Sequence, residues 1–265
     1  MSVQNSIPKF VRQTPVAEAR VRLFCLPFAG GSSAVFHGWG ARLKPEIEVW
    51  VAQPRARGMR FREAPLKSVA EMADEYLEAM RPGLTGGQAF AFYGHSLGGL
   101  LAFEMTRRMQ AEGLAMPEHI FIGATLPPHF GLVYPRIAHL DDGLFVEAIQ
   151  ERYGGIPAEV LQEPELMAIF LPALKSDFAA YEKHTHRHGK AIPVPLTIFA
   201  GAGDRISTAA ALEEWERHTS APFELRTAPG DHFFLAESSE LVLRRIRQVL
   251  SEGVVRELVS TEERA

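Results

Sequence analysis

Ala89-Phe90-Ala91-Phe92-Tyr93-Gly94-His95-Ser96-Leu97-Gly98 is the stretch that decides the fold. Its first five residues form an apolar run of strand length. The residues that follow it, Leu100-Leu101-Ala102-Phe103-Glu104-Met105, read as a helix. A Gly-x-Ser-x-Gly between a strand and a helix reads as a nucleophile elbow, a tight strained turn that exposes the serine hydroxyl above a sheet. Gly94 and Gly98 lack the side chains that would collide where backbone passes close by. Ser96 is therefore the expected nucleophile.

Strand-like runs recur on either side, mostly apolar at 21–26, 47–52, 119–123 and 195–200, with the last strand read at 223–227. Helical spacing alternates with them. Between residues 68 and 80, Val69, Met72, Ala73, Tyr76, Leu77 and Met80 share one face, and Ser68 with Glu71 fits a capping box. Residues 34–43 and about 239–250 also read as helices. This rhythm predicts an α/β fold, a mainly parallel sheet with helices on both faces. Residues 1–20 read as a loosely attached arm, 21–250 as the folded domain and 251–265 as a charged tail that frays. About seventy residues separate Thr125 from Pro195, far more than an ordinary connection. They carry helical pieces at 142–152 and 163–181, so 126–194 reads as a helical insertion over the carboxyl ends of the strands, where open α/β sheets bind ligands. A lid is the functional reading and a passive elaboration the alternative.

A serine nucleophile needs a general base, and the base needs an orienting carboxylate. In α/β-hydrolases the chain order is Ser, then Asp or Glu, then His. Asp204 follows the strand at 195–200 and His232 follows the last strand, so both are expected at the carboxyl edge beside Ser96. Asp231 is a rival orienter, but sequence neighbours rarely face each other usefully. Of the ten histidines, His37, His95, His119, His129, His139 and His218 read as packing or surface residues. His184, His186 and His188 alternate in a basic segment. A metal site there is conceivable, but no carboxylate or cysteine accompanies them locally, and a solvated loop is preferred. An acyl oxyanion needs preorganised backbone donors. One is expected at the N–H of Leu97 and the other at Phe28 or Ala29, in the glycine-rich loop after the first strand.

The bulk composition excludes several classes. With 265 residues, 46% hydrophobic and 23% charged, the chain resembles an ordinary globular protein rather than a disordered or fibrous one. A formal net charge of -4 and a pI of about 6.2 provide no basic field for nucleic acid. Cys25 is the single cysteine, so no internal disulfide and no cysteine-rich zinc site is expected. It reads as a buried packing residue. No apolar run of about 18 residues predicts a membrane span, and the N-terminus lacks a signal-peptide pattern. A cytoplasmic setting and a monomer are expected.

Several segments together resemble the type II thioesterases of nonribosomal peptide and polyketide pathways, a branch of the α/β-hydrolase fold. They are Leu26-Pro27-Phe28-Ala29-Gly30-Gly31, Tyr93-Gly94-His95-Ser96-Leu97-Gly98-Gly99, Leu171-Pro172-Ala173-Leu174-Lys175-Ser176-Asp177-Phe178, Gly201-Ala202-Gly203-Asp204, Trp215 with His218-Thr219, and Pro229-Gly230-Asp231-His232-Phe233-Phe234. The resemblance spans about 21–250. It implies hydrolysis of acyl groups from the phosphopantetheine thiol of acyl or peptidyl carrier proteins, with Ser96 attacking, His232 as base and Asp204 orienting it. It implies no metal or redox cofactor, since the phosphopantetheine arrives on the substrate protein. One departure stands out. Where the family has Pro-Gly-Arg-Gly, this chain has Arg55-Ala56-Arg57-Gly58. Arg55, Arg57, Arg60 and Arg62 gather there, either as a solvated basic loop or, at Arg57, as a contact with an acidic carrier protein or its phosphate. A dedicated product-releasing or acyl-transferring thioesterase, a small-molecule ester hydrolase, and an idle module that only grips carriers stand as alternatives to editing hydrolysis.

Overall fold

The computed structural model describes residues 9–84, 86–156 and 158–262, with side chains as far as Ser251. Within these residues seven strands form one sheet: β1 (Phe10–Gln13), β2 (Val21–Leu26), β3 (Ile47–Ala52), β4 (Ala89–His95), β5 (His119–Gly123), β6 (Leu196–Gly201) and β7 (Phe223–Ala228). Their order is β1-β3-β2-β4-β5-β6-β7. Only β1 runs antiparallel to its neighbour. The chain crosses β2 on its way from β3 to β4, so the strand order reverses between β2 and β4. In open α/β sheets the crevice beyond the carboxyl ends at such a reversal is the usual ligand site. Leu26 pairs with Gly94 there, which sets the elbow beside the loop that leaves β2.

The period of two along β4 sorts its residues between the two faces. Phe90 and Phe92 pack with α2 (Val69–Leu84) and α3 (Leu97–Glu112). Ala91 and Tyr93 pack with Trp39 of α1 (Trp39–Leu43) and with Val242, Leu243 and Ile246 of α8 (Leu235–Glu262). Covered on both faces, the central strands carry unbroken apolar runs. At the head of α2, the N–H of Glu71 donates to Ser68 Oγ at 3.1 Å, and the Glu71 carboxylate returns to Lys67 N–H at 2.7 Å.

The insertion contains α4 (Asp142–Arg152), α5 (Ala158–Gln162) and α6 (Pro164–Lys183). Ile137, Phe145, Ile149, Ile156, Leu171 and Leu174 give it a small apolar core of its own. The remaining helix, α7 (Ala209–Glu213), lies between β6 and β7.

Three boundaries differ from the sequence reading. Within the arm expected at 1–20, Phe10–Gln13 is an edge strand paired with β3. Phe10 is buried, its ring 5.1 Å from that of Phe24 and 5.3 Å from that of Tyr76, and Arg12 Nε donates to Glu48. Four residues are too few to show a strand pattern without their partner. Residues 1–8 of that arm lie outside the described residues. The helix expected at 34–43 is divided, because Gly38 adopts φ +76° between a 3-10 turn at Ser33–Phe36 and α1. The tail expected at 251–265 continues α8 as far as Glu262, and residues 263–265 lie outside the described residues.

Candidate active site

Ser96 holds φ 53° and ψ -117°, a backbone conformation that costs free energy for any residue but glycine. It persists because its surroundings over-determine it. The N–H of Ser96 donates to the Gly123 carbonyl at 2.8 Å, and the Thr125 hydroxyl donates to the Ser96 carbonyl at 2.9 Å. Trp215 Nε1 in turn donates to the Thr125 carbonyl at 2.6 Å. A Cβ on Gly98 would stand 2.0 Å from the Leu26 carbonyl oxygen, and one on Gly94 would stand 2.1 Å from that of Gly98. Both contacts are with backbone, so only glycine fits.

The loops after β6 and β7 bring Asp204 and His232 to this turn. His232 Nε2 lies 3.1 Å from Ser96 Oγ, and His232 Nδ1 lies 2.9 Å from Asp204 Oδ2. Asp204 and His232 are buried. Asp204 also accepts the N–H groups of Ile206 and Ser207 at 2.8 and 3.1 Å, and the Ser207 hydroxyl. Burial alone would raise the Asp204 carboxyl. The hydrogen bond and charge of His232, with the Ser207 and Ile206 donors, outweigh that and lower it to about 2. A carboxylate held ionised in this way fixes the orientation and tautomer of the imidazole bonded to it. Asp231, the rival orienter, accepts the N–H of Phe233 at 2.8 Å, capping its own turn.

Ser96, Leu97, Phe28, Ala29 and His232 line one wall of a pocket whose far wall is the insertion, with Ile149, Tyr153, Phe170, Leu174 and Phe178. Leu97 opens α3, and its N–H belongs to the helix N-terminus beside the serine. Phe28 and Ala29 lie in the loop after β2. The expected oxyanion donors therefore share one cavity with the hydroxyl, and the wall facing them is mostly apolar.

Arg57 has a different place from either sequence reading. Its Nη2 donates to Asp177 Oδ2 of α6 at 2.6 Å and its Nε to the Gly31 carbonyl at 2.7 Å. Asp177 Oδ2 also accepts the Gly30 N–H at 2.8 Å. The guanidinium is thus turned inward and joins the loop after β2 to α6. Its neighbours are internal too. Arg60 is fully buried between Glu63 and Glu75, and Arg55 pairs with the same two carboxylates. A solvated basic loop describes only Arg62. The signal missed was Asp177, itself legible in Leu-Pro-x-Leu-x-x-Asp but far away in sequence.

His95 is the other residue whose part here the sequence reading missed. It is fully buried, as packing predicts, and its Nε2 lies 2.7 Å from the His232 carbonyl oxygen. His119 is buried on Thr197, its Nε2 2.8 Å from the hydroxyl. His184 and His186 are only half-exposed. The rings of His186, His188, His129 and His218 gather beside Phe103, with His129 Nδ1 2.8 Å from His218 Nε2. Burial lowers the pKa of His184 and His186 and takes that of His218 down to about 4. Among the described residues no group of three or more His, Cys, Asp or Glu side chains is arranged to hold a metal ion. Cys25 is buried in the sheet, where burial pushes its thiol pKa up. No helix among the described residues is long and apolar enough to cross a membrane.

Comparison with known proteins places the chain in a family. The Thioesterase domain family model matches residues 21–250. Thioesterase PikA5 of Streptomyces venezuelae is 37% identical over 83% of this chain and 78% of its own length. Gramicidin S biosynthesis protein GrsT of Aneurinibacillus migulanus is 32% identical over 92% of this chain and 96% of its own. The solved structure of the type II thioesterase BorB from the borrelidin biosynthetic cluster superposes with a TM-score of 0.79 at 29% identity, covering 90% of this chain and 94% of that one. The chain belongs to the thioesterase family, resembles its type II members throughout the α/β-hydrolase fold, and is a hydrolase acting on thioesters.

Proposed function

We propose that this protein releases acyl groups from the phosphopantetheine arm of acyl or peptidyl carrier proteins, as an editing thioesterase of nonribosomal peptide or polyketide biosynthesis. The observation that carries the reading is the hydrogen-bonded series Ser96–His232–Asp204 opening into a largely apolar pocket beneath the insertion. The relatives named for gramicidin S and borrelidin biosynthesis supply the pathway class.

In this reading Ser96 Oγ attacks the thioester carbonyl as His232 Nε2 takes its proton. The carbonyl oxygen becomes an oxyanion held by the N–H of Leu97 and that of Phe28 or Ala29. Collapse breaks the carbon–sulfur bond, and His232 returns the proton to the departing phosphopantetheine thiolate. His232 then deprotonates a water that attacks the acyl-serine. The acid leaves and Ser96 regains its proton. Asp204 stabilises the imidazolium at each stage. Residues 21–250 form the catalytic domain and 126–194 its lid, whose apolar wall takes up the acyl chain. The enzyme works as a cytoplasmic monomer.

The test is acyl release from a panel of acyl-phosphopantetheine carrier proteins by wild type and Ser96→Ala, with free acyl thioesters and simple esters alongside. Broad release from carriers, lost in Ser96→Ala, is expected. Release of one elaborate acyl chain alone would instead indicate a dedicated product-forming step. Cleavage of free esters without any carrier substrate would overturn the reading.

A further inference from the structure

The acyl pocket and the loop carrying the second expected oxyanion donor are joined through one side chain of α6. Phe170, Leu174 and Phe178 of that helix face the pocket, and Asp177 lies between them in sequence. Asp177 is almost fully buried. Its Oδ2 accepts two charge-related hydrogen bonds, from Gly30 N–H at 2.8 Å and Arg57 Nη2 at 2.6 Å. Arg57 closes the figure by donating Nε to the Gly31 carbonyl at 2.7 Å. Gly30 and Gly31 directly follow Phe28 and Ala29. Gly30 adopts φ +75°, and a Cβ there would meet Leu174 at 2.8 Å, so helix and loop are in close contact.

Loop backbone has few internal restraints of its own. Here the Gly31 N–H to Phe28 carbonyl bond of 2.9 Å closes a turn, and the Asp177–Arg57 pair ties the last two residues of that turn, Gly30 and Gly31, to the helix. An oxyanion donor acts only if it is held where the charge develops, and a misplacement of about 1 Å loses much of its effect. We infer that Asp177 and Arg57 are positioning residues for the oxyanion loop, through which the helix that takes up the acyl chain also sets the donor geometry at the reacting carbonyl. The inference rests on the serine-hydrolase reading above. It also assigns Arg57 an internal partner in place of a carrier phosphate.

The test compares wild type, Asp177→Asn, Arg57→Lys, the double variant and Ser96→Ala. Each is measured for kcat and KM on an acyl thioester, for affinity toward a trifluoromethyl ketone that adds to Ser96 as an oxyanion, and for thermal unfolding. Asp177→Asn removes the charge while keeping the shape. Arg57→Lys keeps the charge but loses the fork that reaches both partners. The expected result is a fall in kcat of about 10- to 100-fold with KM within about threefold. Affinity for the ketone falls by the same factor, and the double variant is no worse than the poorer single one. An unchanged kcat in a folded variant overturns the inference. So does a fall in kcat that the ketone affinity does not follow, since that marks general loosening. If Asp177→Asn is unfolded at the assay temperature, the same criteria apply to Arg57→Lys alone. Retained activity in Ser96→Ala would instead sink the underlying serine-hydrolase reading.

Discussion

His95 Nε2 lies 2.7 Å from the carbonyl oxygen of His232, so the residue ahead of the expected nucleophile grips the backbone of the expected base. A carbonyl only accepts, so Nε2 carries the proton. Nδ1 is then free to accept from the Tyr93 hydroxyl, 3.3 Å away. Burial, with the neighbouring His232 adding to it, takes the His95 imidazole down to about 3, so it stays neutral throughout the working range.

His95→Phe is expected to leave the His232 carbonyl without its partner. The stability loss should be about 1–3 kcal/mol in urea unfolding, accompanied by a lower kcat. His95→Gln, which keeps a donor, should recover part of both. Equal activity in the Phe variant and wild type would show that this bond does not place His232.

Asp204→Asn is expected to lower kcat by about 10⁴-fold, because an amide favours the wrong imidazole tautomer. Its stability signature has a definite sign. The folded carboxyl sits near 2, below the 3.8 of an unperturbed aspartate. Ionised Asp204 therefore stabilises the fold fully above about pH 4, and that contribution, about 2 kcal/mol, is lost as the pH falls through 2. Urea unfolding of wild type and Asp204→Asn between pH 6 and pH 2 should show the difference between them shift by about that amount. A constant difference would mean the carboxyl is not depressed.

Gly98→Ala should destabilise the fold by about 3 kcal/mol or more, since its Cβ would stand 2.0 Å from the Leu26 carbonyl oxygen and neither backbone can yield without moving β2 or α3. Circular dichroism melting checks this. A melting temperature within a degree or two of wild type would contradict the close approach.

Arg60→Met should cost about 2–3 kcal/mol, because Glu75 would lose the guanidinium that holds both of its oxygens, at 2.7 and 2.8 Å, and keep Arg55 on Oε1. Pairing the substitution with Glu75→Leu should return part of that loss. The double-mutant cycle in denaturant measures the coupling, and additive effects would rule out a buried pair.

The series Ser96, Asp204 and His232 was legible because each residue follows a strand-like run, and parallel strands bring their carboxyl ends to one edge. The insertion was legible from its length and helical spacing. β1 was not, since a four-residue edge strand is defined by the neighbour it pairs with, and Ala52 lies far from Phe10 in sequence. The gathering of His129, His186, His188 and His218 was equally hidden, because it joins three segments far apart in sequence.

Local pattern alone determined the strand rhythm, the elbow and the residue types of the expected triad, because periodicity and chain order act over short distances and repeat along a parallel sheet. Only the tertiary structure decided where the charged side chains point. Arg57 reads as a solvent cation until Asp177 of α6 is folded against it, and His95 reads as filler until the loop after β7 brings the His232 carbonyl to its Nε2. A side chain's function depends on partners within about 3 Å, and for these residues the chain supplies them from more than a hundred positions away.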